Sequence, residues 1–161
     1  MSIQIISLSE EHIDSICEIE NESFGDPWNR QFFLELLDNY FAVCFVAIEQ
    51  TPGGVAATPF QKGAVAGYLI AYHISDEIEI LNIAVKESHR HSKIATKLFD
   101  VIFEYAKTEN AKEFILEVRP SNVGAIELYK KLGFKIDGVR KNYYKNPKED
   151  AVLMSLSLGE S

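Results

Sequence analysis

Leu81-Asn-Ile-Ala-Val85, Lys86-Glu-Ser-His-Arg90 and His91-Ser-Lys-Ile-Ala-Thr-Lys-Leu98 form one continuous stretch, and its reading decides the fold. Residues 77–86 are a nearly apolar run that predicts a strand. The chain then passes through a polar, basic turn into Ile94, Ala95, Leu98, Phe99, Val101, Ile102 and Tyr105, whose spacing predicts a helix of about four turns. A helix amino terminus leaves backbone N–H groups unpaired and carries the positive end of the peptide dipoles. Such an end suits a phosphate or pyrophosphate, and Arg90, Lys93 and Lys97 add positive charge there. An ordinary basic surface turn has the same composition, so this stretch alone leaves anion binding open.

Working outward, residues 64–73 predict a partner strand, with Ser75-Asp76 as the turn of a hairpin. Residues 41–49 predict a buried strand, and residues 50–63, with two prolines and three glycines, a long loop. Residues 3–8 predict a first strand. Ser7 and Glu10 have the spacing of a capping box before a helix striped by Ile13, Ile16, Cys17 and Ile19. Gly25-Asp-Pro-Trp-Asn29 breaks the pattern, and Phe32, Phe33, Leu36, Leu37 and Tyr40 return to helical spacing. Downstream, residues 112–118 predict a strand and residues 121–132 a helix ended by Gly133 as a left-handed cap. Residues 134–140 and 150–157 predict a closing hairpin around a basic, Tyr-rich connection. The order β-α-α-β-β-β-α-β-α-β-β predicts one mixed α/β domain over residues 1–161, with a mostly antiparallel sheet flanked by helices.

Composition narrows the function. The 161 residues are 47% hydrophobic and 25% charged, as in a globular domain, with no apolar run long enough to span a bilayer. The start of the chain lacks the features of a secretory signal, and Cys17 and Cys44 on apolar stretches predict reduced thiols, so a cytoplasmic location is expected. The net charge of −8 lies wholly in residues 1–40, which hold nine acids and one base. That quarter would repel nucleic acid and attract a cationic partner, or else its acids coat the solvent face of helices. The four histidines show no ligand spacing, so no metal site is expected, and no P-loop, Rossmann fingerprint or nucleophile elbow is present.

Two further segments hold chemistry. On the strand at 112–118, Phe114, Leu116 and Val118 share one face, and Ile115, Glu117 and Arg119 the other. By spacing, Glu117 is an exposed acid or a base beside a cleft, with the exposed acid the commoner case. Tyr129, in the following helix, reads as a core tyrosine unless something places it beside a leaving group. In Arg140-Lys-Asn-Tyr-Tyr-Lys145 the adjacent tyrosines cannot both enter one core.

Together, Leu81–Val85, Arg90–Ala95, Asn122 through Ala125 to Tyr129, and Leu-Gly-Phe134 resemble the GNAT superfamily of acetyl-coenzyme A-dependent N-acetyltransferases over about residues 3–157. Pro27-Trp28, Leu-Glu-Val-Arg119, Asn-Tyr-Tyr144 and Glu-Asp-Ala151 are most similar to the bacterial members that acetylate the amino-terminal alanine of a small-subunit ribosomal protein. The resemblance implies a partner in the form of a basic amino-terminal peptide, acetyl-coenzyme A as cosubstrate, no metal, and a monomer that binds neither nucleic acid nor membrane. It implies that Ile83, Ala84 and Val85 hold the pantetheine arm, and that Arg90, His91, Ser92, Lys93, Ile94 and Ala95 bind the pyrophosphate, with Asn122 assisting. Glu117 would be the general base and Tyr129 the acid. Trp28, Tyr143 and Tyr144 would border the acceptor peptide. A broader amino-terminal or small-amine acetyltransferase, or a coenzyme-binding module without turnover, shares these features. One position departs from the family loop: Lys93 stands where the family has its first glycine. If the backbone there has positive φ, a lysine costs roughly 1 kcal/mol.

Overall fold

The computed structural model describes residues 2–50 and 65–159, so the predicted loop at 50–63 falls, apart from Gln50, outside the described residues. Seven strands form one sheet: β1 (Ser2–Ser7), β2 (Ala42–Gln50), β3 (Val65–Ile74), β4 (Glu77–Val85), β5 (Glu113–Val118), β6 (Lys135–Tyr144) and β7 (Glu149–Ser157). Their spatial order is β1-β2-β3-β4-β5-β7-β6, antiparallel everywhere except between β4 and β5. Helices α1 (Ile13–Ser23) and α2 (Arg30–Leu37) cover one face; α3 (Ile94–Thr108) and α4 (Val123–Lys131) cover the other.

β3 sits between the two layers and is buried on both faces, which is why its sequence is apolar without alternation. Tyr68 and Ile70 pack toward α1 and α2, and Leu69 and Ala71 toward α3. Of the predicted α3 stripe, Ile94, Leu98, Phe99 and Ile102 are buried, joined by Ala106, while Ala95, Val101 and Tyr105 are half-buried. α4 ends where expected, with Gly133 at φ +106°.

Three local expectations are corrected. The helix-opening cap is Ser9, not Ser7: Ser9 starts a 3-10 turn at Glu10–His12 and its N–H donates to His12 Nδ1 at 3.1 Å. Ser7 is still paired with Phe45 in the β1–β2 ladder and is not free to cap. α2 stops at Leu37, and Tyr40 is 94% exposed, so its helical spacing is coincidental. Tyr143 and Tyr144 are not in the β6–β7 connection but in β6, whose largely exposed polar residues give no alternation to read.

One irregularity positions everything that follows. β4 pairs with β5 over four residues only, Glu77–Ile80 against Glu113–Leu116, although β4 continues to Val85 and β5 to Val118. Where they part, β4 slips against β3: Asn82 pairs with Ile70, but Ala71 pairs with Ile80, leaving Leu81 as a bulge. The bulge inverts the pleat. Ile78 and Ile80 face the α3 layer, Leu81 packs in the α1–α2 layer, and Ile83 and Val85 face α3 again.

Candidate active site

β4 and β5 part beyond Ile80 and Leu116, and predicted residues lie on or beyond the separated ends of both strands. On one side, Ile83-Ala-Val85 has no strand of β5 opposite it. Beyond it the chain makes a 3-10 turn at Glu87–His89 and enters α3 through Arg90–Lys93. His91 and Lys93 both have positive φ, at +68° and +64°. Lys93 is therefore in the strained, left-handed form, at a cost of about 1 kcal/mol, and serves as the N-cap of α3. Its carbonyl accepts the first helical bond, from Lys97 N–H at 3.1 Å. Ser92 Oγ donates to the His89 carbonyl and braces the turn. Arg90 Nε donates to the Val85 carbonyl at 3.3 Å, so in this state its guanidinium lies back toward the end of β4. The turn presents the N–H groups that open a 15-residue helix, Ile94 and Ala95 among them, beside three cations. That donor set fits an anion.

On the other side, β5 alternates as predicted: Phe114, Leu116 and Val118 are buried against α3, and Glu117 points the other way. Its side chain keeps 25% exposure and Oε1 lies 3.3 Å from Arg140 Nη1. The spacing favoured a solvated acid; the structure has a half-buried, paired one. The nearby Glu117 carboxylate, together with burial, pushes the Tyr143 phenol above its ordinary range. Glu79 of β4 shares this face, and burial together with the Glu117 charge raises its carboxyl. Two residues along β5, Arg119 holds the β6–β7 connection. It donates to the Pro147 carbonyl at 2.7 Å, the Lys145 carbonyl at 2.9 Å and Glu149 Oε2 at 3.1 Å, and lies 4.3 Å over the Tyr144 ring.

Tyr129 and Asn122 approach from the α3–α4 side. Asn122 caps α4, its Oδ1 accepting from Ala125 N–H at 3.2 Å, which leaves its amide NH₂ for other partners. Tyr129 is 6% exposed, its ring 5.9 Å from Phe99 and 5.8 Å from Phe134. Burial raises its phenol far above the ordinary value, with the nearby Tyr144 adding to the shift. Glu117 and Tyr129 thus stand on opposite faces of the sheet.

Trp28 packs against Phe32 with ring centroids 4.3 Å apart, fixing the α1–α2 connection. That connection meets the β6–β7 connection at Gly25 and Asn146. The structure thereby brings the Trp28 segment and the segment following Tyr144 together. The signals that the sequence reading missed are Arg140, Arg119 and, above all, Glu20. Counted among nine acids of an acidic quarter, Glu20 is in fact 1% exposed. A separate groove of about 640 Å³, lined by Tyr40, Phe41, His73 and Tyr105 among others, lies at the opposite end of the sheet and contains none of the predicted residues.

The fold is a seven-stranded mixed sheet whose one parallel pair parts beside a basic turn at a helix amino terminus. Residues 13–134 match the acetyltransferase (GNAT) family, and the chain belongs to that family. It is similar to a Bacillus subtilis protein provisionally named a ribosomal protein bS18-alanine N-acetyltransferase, with 38% identity over 93% of this chain and 92% of that one. An N-alpha-acetyltransferase of Saccharolobus solfataricus is 35% identical over 91% of this chain and 87% of its own. The crystal structure of the Escherichia coli ribosomal-protein-S18-alanine N-acetyltransferase superposes with a TM-score of 0.83 at 26% identity, covering 99% of this chain and 96% of that one.

Proposed function

We propose that the protein transfers the acetyl group of acetyl-coenzyme A to the amino-terminal alanine of the small-subunit ribosomal protein bS18 in the cytoplasm. The observation that carries this reading is the four-residue β4–β5 pairing, which leaves the backbone of Ile83-Ala-Val85 open beside the Glu117 carboxylate. The names borne by relatives similar along nearly the whole chain supply the acceptor.

In this reading the N–H groups of residues 90–95 receive the coenzyme's pyrophosphate, aided by Arg90 and Lys93. The freed edge of β4 holds the pantetheine arm, with the Asn122 amide near it. The acceptor enters between the Trp28 segment and Tyr143 and Tyr144. An α-ammonium has a pKa of about 7.7–8.0, so it needs only modest help to become nucleophilic. Glu117 takes its proton, directly or through one water. The amine nitrogen bonds to the thioester carbon, backbone N–H groups stabilise the oxyanion, and the C–S bond breaks as the nitrogen sheds its second proton to water, Glu117 having passed the first to solvent. Tyr129, whose burial keeps its phenol protonated, gives the departing thiolate its proton and regains one from solvent. No acyl-enzyme forms, and Cys17 and Cys44 have no part.

The test is to mix the protein with acetyl-coenzyme A and a short basic peptide beginning Ala-Arg, beside the same peptide with a blocked amino terminus. Mass gain of one acetyl group on the free peptide alone is expected. Gain on the blocked peptide would assign transfer to side-chain amines instead, and gain on neither would leave a broader acceptor class or a module that binds coenzyme without turnover.

A further inference from the structure

We propose that Glu20 is a positioning residue for this transfer: one buried carboxylate fixes both the β4 bulge where the strands part and the Trp28 segment that borders the acceptor. The inference rests on the acceptor reading for its kinetic consequence but not for its geometry.

Glu20 lies on the apolar face of α1 beside Ile13, Ile16 and Ile19. An apolar residue there would continue the stripe, so the helix itself does not require a carboxylate. Burying a carboxylate is costly unless all its acceptor sites are filled. Here they are filled by donors alone, from three different places in the fold. Tyr68 of β3 donates its hydroxyl to Oε2. Asn82 of β4 donates Nδ2 to both oxygens, at 2.7 and 3.0 Å. Trp28 donates its backbone N–H to Oε1 at 3.3 Å. A group that only accepts matches a shell that only donates.

The position of Asn82 gives the network its consequence. Without the bulge at Leu81, alternation would turn Asn82 to the α3 face with Ile78 and Ile80, away from Glu20. The Glu20–Asn82 bonds therefore hold the bulged register, and that register sets the backbone of Ile83–Val85. The same carboxylate ties down the residue that follows Pro27, at the rim of the other substrate. The thioester strand and the acceptor wall are thus referenced to a single group beneath both.

The test uses Glu20→Leu, Glu20→Gln and Tyr68→Phe, with three readouts. Circular dichroism and thermal melting report the fold. Trp28 is the only tryptophan, so its emission and acrylamide quenching report the wall without turnover. Two-substrate kinetics report the reaction. Glu20→Leu, which strands the Tyr68, Asn82 and Trp28 donors, should fold but melt lower than the wild type, lose at least about a hundredfold in kcat/KM for the peptide and leave Trp28 more quenchable. Glu20→Gln, which keeps one oxygen, should recover most of both. Tyr68→Phe, remote in sequence from Trp28, should move Trp28 quenching and peptide KM in the same direction as Glu20→Leu. A folded Glu20→Leu with wild-type kinetics overturns the proposal, as does unchanged Trp28 quenching. If Glu20→Leu does not fold, a Tyr68→Phe variant with both readouts unmoved overturns it. If the wild type acetylates no peptide, the acceptor reading fails, while Trp28 quenching still decides the positioning role.

Discussion

The carbonyl oxygen of Asn146 lies 2.7 Å from where a Cβ on Gly25 would sit, so the α1–α2 and β6–β7 connections touch with no room for a side chain between them. Real Cβ atoms do not approach a backbone oxygen that closely, and here the obstacle is main chain rather than a flexible side chain. Arg119 fixes the Asn146 side by holding the Lys145 and Pro147 carbonyls. Gly25→Ala must therefore push the two walls apart. The expected result is a rise of about tenfold in KM for the acceptor peptide, with acetyl-coenzyme A affinity unchanged. Initial rates against peptide concentration and calorimetric titration of coenzyme check it.

Glu117→Gln keeps the size of the side chain and removes the base. At neutral pH, kcat should fall by about 10²–10⁴-fold with coenzyme affinity unaltered. The deficit should shrink as pH rises above about 8, because the amine then loses its proton unaided. A pH–rate profile of the two proteins measures this, and equal rates at pH 7 would remove Glu117 from the base role.

Lys93→Gly relieves a lysine held at φ +64°. Unfolding should become less favourable by up to about 1 kcal/mol, seen as a melting temperature higher by a few degrees. The variant also removes a cation beside the turn, so the affinity for acetyl-coenzyme A should depend less steeply on salt. Calorimetry at two salt concentrations reads the second effect, and an unchanged slope would show that the ammonium points away from the phosphates.

His12 is 2% exposed, and its Nδ1 accepts from Ser9 N–H while Nε2 has no partner among the described residues. Burial lowers its pKa. Below about pH 6.5 the unfolded chain binds a proton at this site that the folded chain resists, so stability is lost as pH falls through that window. Gln at this position can accept the same cap bond without titrating. His12→Gln should remove this contribution to the fall in stability as pH drops below about 6.5, as measured by urea unfolding at each pH. An identical fall in both proteins would assign it to other groups.

What could be read from the sequence, and what could not, follows from how far each residue acts. Most of the α3 stripe from Ile94 and the apolar run that makes β3 a strand depend on near neighbours and were legible. So were the facing of Glu117 and the end of α4 at Gly133, each set within a few residues. Tyr40 failed because spacing counts residues and not whether the helix has already stopped at Leu37. Tyr143 and Tyr144 failed because β6, exposed along most of its length, has no apolar face to betray it. Glu20 was out of reach. Its partners lie 8, 48 and 62 residues away, and one of them faces it only because a bulge reverses the pleat. The first-quarter acids illustrate the same point: Asp14 pairs with Arg30 at 3.0 Å on the surface, whereas Glu20 belongs to the interior.

The short seam between β4 and β5 has a mechanical side. Strands β1–β4 and β5–β7 are two half-sheets, contiguous in sequence within each, and they share a ladder of four residue pairs. Such a seam is the weakest cross-link in the sheet, and a molecule lying along both freed edges would supply the missing cohesion. By mass action, occupancy would then add RT ln(1 + [L]/Kd) to the stability of the folded state, about 2.7 kcal/mol at a hundredfold excess over Kd. In a cell rich in donor, the folded lifetime of this protein would track its metabolic supply.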